Sequence, residues 1–411
     1  MLEQCALKMP EILLPGEECD LTKWAVVACD QFTSQPDYWG RVQENVGGAP
    51  SALNLIYPEA WLGEGDARIA RINDAMREYE RNVLARRFAG FVLVERAVSA
   101  GKRLGLIAAV DLEKYDFSRG STSLIRPTEG TILERIPPRV RIREGASLEL
   151  SHAMLLMDDP GGTVLDSLTA RKDALEPVYD FELMQGGGRI RGRLVAGAEA
   201  EAFRARIAAY ERETAERFAA AGRAPLLYAV GDGNHSLAAA KACWEERKRQ
   251  GAPEDDPARY AMAELQNIRD PEQRFEPIHR IVTGVDPALL LRSCAAICAP
   301  GGHPVAWYAG KEHGLLTLDP ALGELPVAVL QPFLDRFLLE HGGEIDYIHG
   351  EEVAVRLAEK PGSVAFLLPN ISKGDFFRGI VMDGVLPRKT FSMGHAQEKR
   401  YYLECRRITR E

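Results

Sequence analysis

The sequence predicts a mixed α/β protein in which mixed sheets are flanked by helices. Apolar residues recur at helical spacing from Asp66 to Val83 and again from Glu199 to Ala221, with charged residues between them. Short apolar runs such as Leu226–Val230 have the length and composition of buried strands. Because each half of the chain contains both kinds of segment, we expect an α/β fold with mixed sheets.

Further elements follow from local composition. Phe91–Val98 and Leu104–Leu112 flank a glycine-containing turn and predict a β-hairpin. Residues 126–143 are expected to be irregular, because Pro127, Pro137 and Pro138 remove amide donors and restrict their neighbours. The remaining predictions are strands over 24–29, 153–157, 260–268 and 364–368, and helices over 237–249, 287–298 and 327–341.

The length of the chain favours two domains. At 411 residues it exceeds the size at which a single core keeps growing. We expect an N-terminal α/β domain over 1–195 and a C-terminal α/β domain over 196–411, divided before the helix that starts near Glu199. One integrated domain is the alternative.

Composition restricts the partners. The net charge of -9 argues against broad binding to nucleic acid or to an anionic membrane, which require a basic face. The N-terminus lacks the pattern of a secretion signal, no apolar run approaches the length of a membrane span, and seven cysteines are scattered without a disulfide framework. We therefore expect a cytoplasmic protein with a small-molecule substrate.

The strongest candidate site is Asp232-Gly233-Asn234-His235-Ser236, between the predicted strand and the helix after it. Glycine lets a ligand approach the backbone, and the first amides of a helix attract anions. Asp232 lies at the carboxyl end of a strand, where α/β sheets bind ligands, and His235 is suited to acid–base chemistry. We predict Asp232 and His235 as catalytic residues, and Gly233, Asn234 and Ser236 as an anion or nucleotide site. The alternative is a tight turn in which Asn234 or Ser236 only caps the helix.

Other residues are weaker candidates. Asp30 follows a short apolar run and is predicted to join Asp232 in a metal site, for which Mg²⁺ is the natural ion. His152, at the start of a predicted strand, is a minor candidate. The further anion-binding candidates are Arg126, Arg139, His279, Arg280, Lys389 and Thr390. The chain has no P-loop, dinucleotide-binding glycine motif, His-Glu-x-x-His or Gly-x-Ser-x-Gly, so those chemistries lose support.

Several motifs, in one order, resemble a bacterial family catalogued as domain of unknown function 1015. The matching segments are Cys29–Pro36, Arg126–Thr131, Arg135–Arg139, Asp232–Ser236, Glu264–Asn267 with Asp270, Glu276–Arg280 and Leu386–Phe391. The resemblance covers nearly the whole chain but implies no activity. The turn also has a remote similarity to ParB/sulfiredoxin-like proteins, whose serine kinase branch has Asp-Gly-His-His-Arg. That similarity implies that Asp232 activates a hydroxyl and His235 holds phosphate, although Ser236 replaces the arginine.

Three hypotheses remain at this point. The leading one is a nucleotide-dependent phosphotransferase or phosphohydrolase that acts on a small hydroxylated metabolite, with a nucleoside phosphate and Mg²⁺ as cofactors. In it, Lys389 and the arginines of residues 126–143 neutralise phosphate charge. The second is a metal-dependent hydrolase or lyase that uses Asp30, Asp232 and His235. The third is a metabolite-sensing or partner-binding protein without turnover.

Overall fold

The computed structural model describes residues 5–33, 35–131, 133–273 and 275–410, with the side chains of Pro36 and Arg135 left out. Ser34 of the predicted opening segment and the Arg135 side chain therefore lie outside the described part. The chain divides into two compact units. Unit 1 comprises Met1–Pro127, Thr131–Gln273 and His395–Glu411, and unit 2 comprises Thr128–Gly130 and Arg274–Gly394.

The described helices and strands are numbered in chain order. The α-helices are α1 Leu21–Trp24, α2 Pro36–Val46, α3 Gly65–Asn82, α4 Ile136–Glu144, α5 Leu165–Thr169, α6 Gly197–Ala220, α7 Asn234–Arg249, α8 Pro287–Ser293, α9 Pro326–His341, α10 Glu351–Ala358 and α11 Lys373–Asp383. The strands are β1 Leu7–Lys8, β2 Glu11–Leu14, β3 Val26–Val27, β4 Arg86–Ala89, β5 Phe91–Val98, β6 Gly101–Asp111, β7 Ile125–Pro127, β8 Leu148–Leu150, β9 Met154–Met157, β10 Glu176–Leu183, β11 Gly188–Val195, β12 Tyr228–Asp232, β13 Tyr260–Asn267, β14 Phe275–Thr283, β15 Cys298–Ala309, β16 Glu312–Leu318, β17 Glu344–His349, β18 Ser363–Leu367, β19 Phe391–Met393, β20 Tyr401–Tyr402 and β21 Cys405–Arg407.

The main sheet of unit 1 is mixed. Its described strands run in the order β10-β11-β5-β6-β13-β9-β12-β7, and β1 also pairs with β6. Strand β12 is antiparallel to β9 and parallel to β7, while β13 is parallel to β9. Two smaller sheets have the orders β4-β2-β21-β8 and β20-β3. The predicted class, mixed sheets with flanking helices, is confirmed.

Both faces of this sheet are buried. Val92 and Val94 of β5 pack into a core that includes Met76 of α3, whereas Phe91 and Leu93 pack into a second core with residues of α6 and α7. Successive side chains of a strand point to opposite faces, so a strand covered on both sides is apolar without alternation. This explains the continuous apolar runs in the sequence.

Unit 2 has a separate sheet with the order β16-β15-β18-β14-β17, and β19 pairs with β14. Ile281 of β14 packs against Ala354 and Ala358 of α10 in an apolar cluster. Leu330 and Leu334 of α9 are fully buried.

Most predicted elements are present. Helices α3, α6, α7 and α9 and the β5–β6 hairpin lie where the sequence predicts them. The expectation of irregular chain over 126–143 is wrong, since the segment contains β7 and the helix α4. The physical reason is that Pro137 and Pro138 occupy the first turn of α4, where an amide has no acceptor within the helix and a fixed φ favours helix formation.

The helix predicted over 287–298 is present as α8, Pro287–Ser293, followed directly by a 3-10 helix over Cys294–Ile297, and Cys298 begins β15. The predicted domain boundary between 195 and 196 does not coincide with the two units: β11 ends at Val195, yet β12 and β13 beyond it belong to the same sheet. A local break in composition does not reveal strands that pair across it. No helix among the described residues has the length and apolar character needed to span a bilayer.

Candidate functional site

The predicted strand-turn-helix is present in unit 1. Strand β12 ends at Asp232, Gly233 adopts the left-handed conformation with φ 76°, and α7 starts at Asn234. A Cβ at Gly233 would lie 2.7 Å from Cα of Ala153, just before β9. Glycine therefore meets two requirements here, a positive φ and a close approach to a neighbouring backbone. The first amides of α7 face the same turn and favour an anion there.

Two buried oxygen atoms flank this glycine. Oδ1 of Asp232 accepts a hydrogen bond from the Gly233 amide at 2.9 Å. Its Oδ2 lies 3.3 Å from Nζ of Lys399, an ion pair whose geometry does not make a hydrogen bond. Among the described residues, Oδ2 of Asp232 and Oδ1 of Asn234 are buried acceptors without a hydrogen-bond donor. A buried acceptor of this kind can take a donor from a ligand or from water; Asn73 and Glu199 carry others elsewhere in unit 1.

Lys399 is held in place through its backbone. Arg96 donates hydrogen bonds to the carbonyl oxygens of residues 397–399, and Arg103 donates to that of Glu398 at 2.8 Å. Both arginines are buried, and burial together with the neighbouring charge of Arg103 lowers the pKa of Arg96 to about 9. Two buried guanidinium groups thus fix the segment that presents the ammonium group to Asp232.

The charge of the same lysine also acts on Asp30. Asp30 follows β3, which pairs with β20, so Tyr402 lies opposite Val26. Burial alone would raise the pKa of Asp30, but the pKa is lowered because His152, a hydrogen bond from Gln31, and the charges of Lys399 and Arg139 stabilise its carboxylate. Lys399 therefore forms an ion pair with Asp232 and stabilises the Asp30 carboxylate through its charge.

His152 connects Asp30 to a buried tyrosine. Its Nε2 lies 3.9 Å from Oδ2 of Asp30, and its Nδ1 lies 2.6 Å from the hydroxyl of Tyr402. That hydroxyl is also 3.0 Å from Sγ of Cys29. Burial, followed by the charge of Asp30, raises the pKa of Cys29 to about 12, so the side chain is a neutral thiol and a poor nucleophile.

A cavity of about 420 Å³ adjoins the first turn of α7. Ser236 lines it from α7, and Arg139 lines it from α4. Arg139 forms an ion pair with Glu59, in which both side chains are mostly buried. Cys29, the neighbour of Asp30 in the chain, also lines the cavity.

The structure brings many of the predicted residues together, but not all. Asp232 pairs with Lys399, whose charge also acts on Asp30, while Gly233, Asn234, His235 and Ser236 form the turn and first residues of α7. His235 is partly buried there.

Arg126 lies elsewhere in unit 1. Its guanidinium donates hydrogen bonds to the carbonyl oxygens of Ala224 and Pro225, which precede β12, whereas the turn follows β12. Arg126 therefore binds backbone rather than the candidate site.

The other four candidates lie in unit 2. His279 and Arg280 are neighbours on β14 and point to opposite faces. Arg280 is fully buried and donates to Gln331 and to the carbonyl oxygens of Arg388 and Lys389.

The Lys389–Thr390 turn is held from a second side. The amide of Thr390 donates a hydrogen bond to the Glu129 carboxylate at 3.2 Å. Burial raises the pKa of Glu129. Lys389 has a φ of 56°, and its side chain is exposed. His279 is buried, and burial lowers its pKa. These contacts give Arg280 and Glu129 a structural part in shaping the Lys389–Thr390 turn.

Sequence reasoning missed Lys399 and Tyr402 and ranked His152 too low. Lys399 lies in the basic C-terminal segment, but nothing in its local pattern distinguishes it from Lys389 or the arginines nearby. Metal binding by Asp30 and Asp232 stays a prediction; within the described ranges there is no group of three or more His, Cys, Asp or Glu residues that could hold a metal ion.

Fold and site together define a mixed α+β protein in which an aspartate–lysine ion pair lies beside a helix N-terminus. The chain belongs to the family described as "Protein of unknown function (DUF1015)", whose model matches residues 13–405. No curated protein matches the sequence.

Solved structures that are similar have low identity. They include C-terminally truncated SbnI from Staphylococcus aureus, with 12% identity, a TM-score of 0.35, and coverage of 70% of this chain and 82% of that one. A free serine kinase in complex with AMP has 13% identity, a TM-score of 0.36, and coverage of 74% and 91%. A conserved hypothetical protein from Pyrococcus furiosus has 12% identity, a TM-score of 0.33, and coverage of 74% and 95%.

Proposed function

We propose that unit 1 is a phosphotransferase or phosphohydrolase that takes a phosphoryl group from a nucleoside phosphate. The observation that carries this proposal is Oδ2 of Asp232, a buried carboxylate oxygen without a hydrogen-bond donor, 3.3 Å from Lys399 at the start of α7. A substrate hydroxyl group is the donor that this oxygen needs. The α7 amides and Lys399 provide positive charge for a phosphate beside it.

Asp232 is the proton acceptor in the proposed reaction. The hydroxyl oxygen of the acceptor forms a bond to phosphorus, the bond between phosphorus and the leaving nucleotide oxygen breaks, and the hydroxyl proton passes to Asp232. Water as the acceptor gives hydrolysis. Phosphoryl transfer relies on positioning and charge stabilisation more than on covalent chemistry by the protein, and a carboxylate that orients the attacking hydroxyl is a recurring part of such sites.

The other residues have distinct parts in this proposal. Lys399 replaces Lys389 as the lysine that neutralises phosphate charge, and Arg139 replaces Arg126 as the arginine beside the site. In this proposal Asp30 and Asp232 would hold Mg²⁺, which proteins commonly bind through one or two carboxylates together with phosphate oxygens and water. When bound with the nucleotide, Mg²⁺ would neutralise charge on the phosphates.

The proposed location is the cytoplasm. All seven cysteines lie in the described part of the chain and are free thiols. Free thiols are typical of a reducing compartment.

Calorimetry with ATP, ADP and CTP in the presence of Mg²⁺ tests binding, and phosphorus NMR with mixed polyols, sugars and hydroxy amino acids tests turnover. Asp232→Asn should retain binding within a few-fold and lose at least about 100-fold in turnover, as expected when a general base is removed. Asp74→Asn is the matched control, because Asp74 is exposed on α3 of the same unit.

Lys399→Met should weaken binding, since it removes the positive charge beside Asp232. The proposal is wrong if none of the nucleotides binds, or if Asp232→Asn and Asp74→Asn turn over equally. A nucleotide that raises the melting temperature but is recovered unchanged with every acceptor, water included, would support a sensing protein instead.

A further inference from the structure

The cavity beside α7 has a chemical character that the proposed phosphoryl chemistry does not require. Its walls are mostly apolar and come from several separate elements of unit 1. The apolar residues that line it include Leu55, Ile56, Met76, Ile142, Leu148 and Ala239.

Polar and charged groups also line the cavity. Ser236 is on the first turn of α7, two residues after Asn234, whose side-chain oxygen lacks a donor. Cys29 is a neutral thiol next to Asp30 in the chain, and the arginines of the lining are paired, Arg139 with Glu59 and Arg143 with Glu149. Ser236 therefore connects the cavity to the turn at the start of α7.

The size and lining match a small-molecule site. Ligand pockets commonly enclose about 300–1,000 Å³, are lined mainly by apolar side chains, and carry a few polar groups that set the orientation of the ligand. A volume of about 420 Å³ falls in this range. Inorganic phosphate or a polyol phosphate would leave the aliphatic walls in contact with water, whereas a ligand with an apolar group would cover them.

We infer that unit 1 binds organic phosphates that carry an apolar group, with this group in the cavity and the phosphate at the start of α7. The inference rests on the proposed function and adds the substrate class to it. Selectivity among phosphates comes from the aliphatic walls, because the α7 amides and Lys399 attract any phosphate equally. Ser236 lines the cavity and also lies in the first turn of α7. A ligand whose phosphate binds at the start of α7 therefore extends its apolar group past Ser236 into the cavity.

The test compares ligands with the same phosphate but different apolar content. Binding of phenyl phosphate and glycerol 3-phosphate, and of AMP and ribose 5-phosphate, is measured by calorimetry on the full chain. The more apolar member of each pair should bind at least about tenfold more tightly, as expected when a ring covers apolar surface. Equal affinities within each pair would overturn the inference and leave the proposed function intact. Failure of all four ligands to bind would overturn the inference, whereas the proposed function is overturned only if ATP, ADP and CTP with Mg²⁺ also fail to bind.

A substitution links the preference to this cavity. Ala239→Met places a larger side chain in the cavity and should abolish the preference while changing the affinity for inorganic phosphate by less than about threefold. Ala242→Met is the matched control on the same helix, since Ala242 does not line the cavity. If Ala239→Met unfolds the protein, Ala146→Met reaches the cavity from the end of α4. A preference that survives in the folded variant would overturn the inference.

Discussion

Gly233→Ala should destabilise unit 1 by about 2–4 kcal/mol. The left-handed conformation of this residue, φ 76° and ψ 23°, costs a residue with a Cβ about 1 kcal/mol more than glycine. The new Cβ would also lie 2.7 Å from Cα and 3.2 Å from N of Ala153. These are backbone atoms next to the buried strand β9 and cannot rotate away, so overpacking adds about 1–3 kcal/mol.

Gly222→Ala is the matched control. Gly222 has a φ of 66° after α6, and no heavy atom lies within 4 Å of the position that a Cβ would occupy there. It shares the conformational penalty but lacks the close approach, so about 1 kcal/mol is expected. The difference between the two variants isolates the contact between the β12–α7 turn and Ala153.

Urea unfolding followed by tryptophan fluorescence measures both variants. Of the five tryptophans, Trp307 is in unit 2 and the other four are in unit 1, so the signal reports mainly on unit 1. Two units need not unfold together, and the comparison is therefore made on the midpoint of the unit 1 transition. If Gly233→Ala and Gly222→Ala shift this midpoint equally, the close approach of the turn to Ala153 is refuted.

Two further predictions concern pH. The pKa of Asp30 is lowered below 3.8, so its carboxylate stabilises the fold above the unfolded-state pKa, and this contribution is lost as the pH falls through the folded-state value. Asp30→Asn should therefore lower the melting temperature at pH 7, by a margin that shrinks below about pH 4; a margin independent of pH would contradict this. Glu211 is the opposite case, because burial raises its pKa from 4.5 to about 7. The free energy of unfolding of the wild type should then fall by on the order of 3 kcal/mol between about pH 4.5 and 7. Glu211→Gln should remove this dependence of the denaturation midpoint on pH. A variant with the same pH dependence as the wild type would contradict a buried, protonated Glu211.

The β12–α7 turn could be predicted because its determinants are local. An apolar strand, a glycine at a position with positive φ and a helix after it are encoded within about twenty consecutive residues, and the structure reproduces them as Tyr228–Asp232, Gly233 and Asn234–Arg249. The prediction of irregular chain over 126–143 was wrong because it rested on the number of prolines and ignored their positions. Pro137 and Pro138 lie in the first turn of α4, where proline is compatible with a helix.

The partners of Asp232 could not be predicted in this way. Lys399 is 167 positions away, and it reaches Asp232 because Arg96 and Arg103 hold the backbone at residues 397–399. Lys389 has a similar basic neighbourhood in sequence, yet its backbone is bound by Arg280 and Glu129 in unit 2. Composition does not distinguish the two lysines, whereas burial and hydrogen bonding do.

By itself the sequence determined the class of fold, most of the helices and strands, the family and the turn at Asp232–Ser236, because these depend on periodicity, on glycine and on ordered motifs along the chain. Only the tertiary structure decided that Asp232 pairs with Lys399, that His152 contacts both Asp30 and Tyr402, and that an apolar cavity adjoins Ser236. Strand pairing and buried arginines create these contacts between residues far apart in sequence, and no local pattern records them.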